Sequence, residues 1–86
     1  MLIPTVHLNG TSGRDLLEQQ QAVLDALRAV REAMVAAMPN GRDYYPQGED
    51  AIGEAREAFR KQYHIIGDMI LAFDAVMMGI DDQINS

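Results

Sequence analysis

The sequence predicts an all-α fold: an antiparallel two-helix hairpin with an extended N-terminal arm, assembling into a helical bundle or coiled-coil-like oligomer. Two long stretches, 12–38 and 49–81, repeat apolar residues at alternating three and four spacings, which is the period of one helix face. Between them lies one dense cluster of chain breakers running from Pro39 to Asp50. Ahead of them, residues 1–10 follow the period of an extended chain instead. A length of 86 residues is that of a single domain, and a chain this short buries only about 60–65% of its unfolded surface, so a monomer gains from further burial.

In the arm, Thr5, His7 and Asn9 alternate with Val6 and Leu8, and Pro4 opposes a helix. Asn9-Gly10 ends the arm in a turn, and Thr11 or Ser12 is placed to cap the following helix, with Asp15 as a capping-box partner. In helix 12–38, Leu16, Val23, Leu27, Val30 and Met34 form a stripe broadened by Leu17, Leu24 and Val35. Gln20 interrupts it, either as a tolerated polar break or as a residue that sets helix register. Alanines at 22, 26, 29, 33, 36 and 37 favour the helix and allow close approach of a neighbour.

Pro39 stops this helix near Met38, and Asn40-Gly41 tolerates positive φ. Pro46 and Gly48 reset the backbone, and Glu49 and Asp50 suit the first turn of a second helix. Tyr44 and Tyr45, at the tip 39–48, either fold back over the helix ends or stand out as a contact knob.

The second helix carries a strict three-four series through residues 52, 55, 59, 62, 66, 69, 73, 76 and 80. Between Ile65 and Ile80 its only charges are Asp68 and Asp74, while Ile65, Ile70, Leu71, Met77 and Met78 add apolar surface beside the series. One facing helix cannot cover so much of the circumference. The run reads as too short and too acidic to span a bilayer, so protein is expected to cover it. The expected interface residues are Leu16, Val23, Leu27, Ile66, Met69, Ile70, Phe73, Val76, Met77 and Ile80, with Tyr44 and Tyr45 as tip contacts. With the reversal centred at Tyr44, Met38 lies by Ile52, Val30 by Phe59, Leu24 by Ile65 or Ile66 and Leu16 by Phe73. Residues 76–84 then overhang the first helix, leaving a tail at 82–86, and the arm runs back along that overhang or along a neighbour.

Net charge is −6, and the seven basic residues are dispersed among acids, which argues against binding nucleic acid or an anionic membrane. The absence of cysteine excludes a disulfide scaffold and cysteine zinc sites. There is no phosphate loop, nucleophile elbow or His-Glu-x-x-His pattern. His64 and Asp68, four apart, supply at most half a metal site, and lone His7 suits an ordinary exposed role. No catalytic residue, cofactor, metal or small-molecule substrate is therefore expected. All-helical chorismate mutases also begin with a long helix, a polar link and a second helix. Their site needs inward-facing cations, so that reading requires Arg28, Arg31 and Arg60 to converge on an enclosed pocket.

The opening Ile3-Pro-Thr-Val-His-Leu-Asn-Gly-Thr-Ser12 and the tip Pro39-Asn-Gly-Arg-Asp-Tyr-Tyr-Pro-Gln-Gly48 resemble a family of small uncharacterised proteins of tailed bacteriophages and prophages. The resemblance implies a phage-encoded protein with no catalytic residues to transfer and, by analogy, a place among virion or head-assembly genes. Met1-Leu-Ile-Pro lacks the basic region and long apolar run of a signal peptide, so the product is expected in the host cytoplasm at synthesis, with the virion as a further location. Two roles fit. One is a structural or assembly protein that forms a homo-oligomer or docks on a virion component. The other is a small acidic regulator that occupies a host protein.

Overall fold

Ser12 sets where the first helix begins. In the computed structural model, which describes residues 1–85, its hydroxyl accepts the Asp15 amide at 3.1 Å, satisfying one of the N–H groups that a helix start leaves unpaired. Helix α1 then runs Gly13–Ala36 and ends two residues before the expected Met38, because Pro39 restricts the residue ahead of it. The tip is more ordered than a plain loop. Asn40 is extended at φ −112° and its side chain accepts the Arg42 amide, capping a one-turn helix α2, Gly41–Tyr44. A 3₁₀ turn, Tyr45–Gln47, follows with Pro46 in its first turn, where a missing N–H costs nothing. The positive φ expected at Asn40-Gly41 falls instead on Gly48, at 116°.

Helix α3, Ala51–Ile84, continues three residues past the expected Asp81. The tail therefore contributes a further helical turn, and its last residue, Ser86, lies outside the described residues. Among the described residues there are three α-helices and no strand, and residues 1–7 form no regular secondary structure. The long helix packs against the first in a rod of 61 × 19 × 18 Å.

The two long helices run in opposite directions, two turns out of step with the expected register. Gly13 lies against Ile84, Leu24 and Leu27 cluster with Ile70, and Val35 and Met38 line one groove with Phe59. No overhang forms at the base. A Cβ on Gly13 would lie 2.5 Å from Ile84 Cδ1, so the glycine is what lets the end of α3 draw level with the start of α1. The projection is at the other end, where the first turns of α3 extend beyond Ala36 and α2 packs beside them.

The arm folds back on the base of α3. The Gln83 side chain accepts the Val6 amide at 2.8 Å and donates to the Pro4 carbonyl at 2.9 Å, while Ile3 fills the hollow left by Gly79. At this same end of α3, Val76 and Ile80 are buried. The core is thin: Leu24, Leu27, Ile70, Val76 and Ile80 are its buried apolar residues among those described.

Candidate association surface

Helical period divides the sides of the rod. Shallow grooves join Leu17, Gln21, Arg31 and Val35 of α1 to Arg60, Tyr63, Leu71 and Met78 of α3, so all of these share one face. That face is charged along its length. Arg31, Arg56 and Arg60 lie toward the tip, and Glu18, Asp81 and Asp82 toward the base.

The opposite face carries no charged residue along its seam. On α1 it comprises Val23, Ala26, Val30, Ala33 and Ala37, and on α3 Ala58, Gln62, Ile65, Met69 and Ala72, both at three-four spacing. Val30 is 44% exposed, Ile65 50% and Met69 39%, so three large apolar side chains stand in water at mid-rod. The α3 series continues through Val76, Gly79 and Gln83, and there the apolar arm already covers it. The alanines keep the mid-rod surface low, so a neighbouring helix can approach closely there.

The expected interface residues divide accordingly. Leu27, Ile70, Val76 and Ile80 are buried within the chain. Val23, Ile66, Phe73 and Met77 are half-buried against the Leu24–Leu27–Ile70 cluster, and Leu16 is half-buried as well. Met69 is the most exposed of them, at 39%. At the tip Tyr44 is half-buried and Tyr45 is 76% exposed, so one ring lies against the fold and the other stands out. Val30 and Ile65 were missing from the expected interface. The signal that could have found them is a second, charge-free repeat, 58-62-65-69-72, offset from the residues that α1 covers.

The remaining chemical candidates stay apart. Arg31 and Arg60 line separate grooves, and Arg28 is exposed. Among the described residues no three of His, Cys, Asp and Glu gather to hold a metal ion. On length and composition α3 is sufficient to cross a membrane, contrary to the expectation that its apolar run is too short. An 18-residue window has mean hydropathy 1.4 with 17% of it buried. Comparison with protein families, with curated proteins and with solved structures finds no match.

Proposed function

We propose that the chain is a non-enzymatic structural or assembly protein that works by helix-mediated self-association or by docking on a virion component. The observation that carries this reading is the uncharged seam, flanked at its tip end by Glu54, Glu57 and Lys61, where a three-four repeat on each helix leaves Val30, Ile65 and Met69 part-exposed. Interface centres are distinguished from ordinary surface by depletion of charge, and this face has that composition along both helices. The resemblance of the arm and tip to phage proteins supports a phage origin and a place in the host cytoplasm or the particle.

Protein suits this face better than lipid. Asp68 and Asp74 lie within the apolar run of α3, and a carboxylate at the bilayer centre costs about 2.5–3.5 kcal/mol on insertion scales. Light scattering across a hundredfold concentration range tests the proposal. A homo-oligomer of constant mass is the expected result. A monomer throughout that also fails to bind purified capsid, portal or tail proteins overturns the proposal. Aspartate at Phe73 or Met77 would be a poor probe, because both pack on the chain's own core. Val30→Asp and Ile65→Asp act on the open face and are expected to dissociate the oligomer.

A further inference from the structure

If the open face serves association, as proposed above, its symmetry identifies the occupant. In α3 the open seam is close to symmetric about Ile65: Ala58 and Ala72 lie seven residues to either side, with Gln62 three before it and Met69 four after it. In α1 it is close to symmetric about Val30, with Ala26 and Ala33 near it and Val23 and Ala37 at the ends. Gly13 opposite Ile84, and Val35 and Met38 opposite Phe59, place Val30 and Ile65 at one level of the rod. A two-fold axis perpendicular to the rod can pass beside both residues. We infer that a second copy of this chain closes the face, lying antiparallel across that axis, so that the two hairpins form a four-helix bundle with Ile65 against Ile65 and Val30 against Val30 of the partner.

Charge supports the antiparallel choice. Lys61 and Asp68, seven apart, lie on the outer edge of the α3 seam, one position ahead of Gln62 and of Met69 respectively. When two helices pack antiparallel through one seam, the same edge of each meets the other. With Ile65 on the axis, Lys61 of each copy comes level with Met69 of the other and about 1.5 Å, one residue's rise, from level with Asp68, within reach of two symmetric ion pairs from one pair of residues.

The arms favour the same geometry. Each occupies the base end of its own seam, on Gly79 and Gln83. A parallel pair would set arm against arm and hold the bases apart. In the antiparallel pair Ala51 comes level with Gly79 of the partner, so each arm abuts the first turns of the other α3. That overlap is about 40 Å of helix.

The chain contains no cysteine, so a single introduced thiol reports unambiguously. Under mild oxidation, Ile65→Cys is expected to yield a covalent dimer, whereas Leu71→Cys, 69% exposed on the charged face, is not. An equal mixture of Ala58→Cys and Ala72→Cys proteins is expected to give the mixed disulfide above either like pair. Lys61→Asp should weaken the dimer about tenfold, and adding Asp68→Lys should restore it. An oligomer that cross-links through Leu71→Cys and not through Ile65→Cys overturns this geometry while self-association stands. The same holds for an oligomer in which the charge exchange fails to restore binding. A chain that remains monomeric, whether in solution or floating with phosphatidylglycerol vesicles, overturns the geometry and self-association together.

Discussion

Gln83 accepts the Val6 amide at 2.8 Å, across 77 residues of sequence, and the same side chain donates to the Pro4 carbonyl at 2.9 Å. One amide thus satisfies the backbone on both sides of Thr5 and holds the arm against α3. Gln83→Ala is expected to release the arm at a cost of about 1 kcal/mol, the usual net worth of such bonds. Hydrogen exchange at Val6 should speed up several-fold while the amides around Leu24 keep their protection. Unchanged exchange at Val6 would show that Ile3 in the Gly79 hollow suffices to hold the arm.

Two glycines in α3 give opposite tests of the same substitution. A Cβ on Gly67 meets nothing within 4 Å, whereas on Gly79 it would lie 2.5 Å from Ile3 Cδ1 and 2.9 Å from Cγ2. Gly67→Ala should stabilise by about 1 kcal/mol through helix propensity, a rise of roughly 4–8 °C in melting temperature for a chain of this size. Gly79→Ala has the same propensity gain but must displace Ile3, so its melting temperature should rise less and the Ile3 methyl resonances should shift. Equal rises with unmoved methyls would mean that the arm does not seat on Gly79.

Gln20 and Leu24 are neighbours on one side of α1 with opposite expected effects. The side-chain oxygen of Gln20 is buried without a hydrogen-bond partner, while Leu24 is fully buried in the apolar cluster. Gln20→Leu should stabilise by about 1–2 kcal/mol by removing an unsatisfied polar group. Leu24→Ala should cost about 2–5 kcal/mol, enough to unfold a rod with so thin a core. Urea titrations at one protein concentration check both, because association shifts apparent stability. Destabilisation by Gln20→Leu would show that the amide has a bonding partner in the assembled state and sets register there.

The elements themselves were legible in the residues. Three-four spacing marked both long helices, Ser12 marked a start, and Pro39 marked a stop, because each of these acts through local backbone chemistry. The order within the tip was less legible. Asn40 can take positive φ or cap a helix, and only the geometry of the following turn selects the cap.

The sequence alone therefore determined that the chain is helical and carries more apolar helix surface than one partner helix can cover. The tertiary structure decided which surface that is. Register depends on how closely the helix ends approach, and Gly13 against Ile84 moved it by two turns and removed the expected overhang. The arm then seated on Gly79 at the base of the α3 seam, and α1 covered Ile66, Ile70 and Phe73, leaving Val30, Ile65 and Met69 part-exposed along the uncharged seam and Val35, Met38, Leu71 and Met78 exposed on the charged face. Periodicity identifies every apolar face of a helix, and only packing determines which of them remain in water.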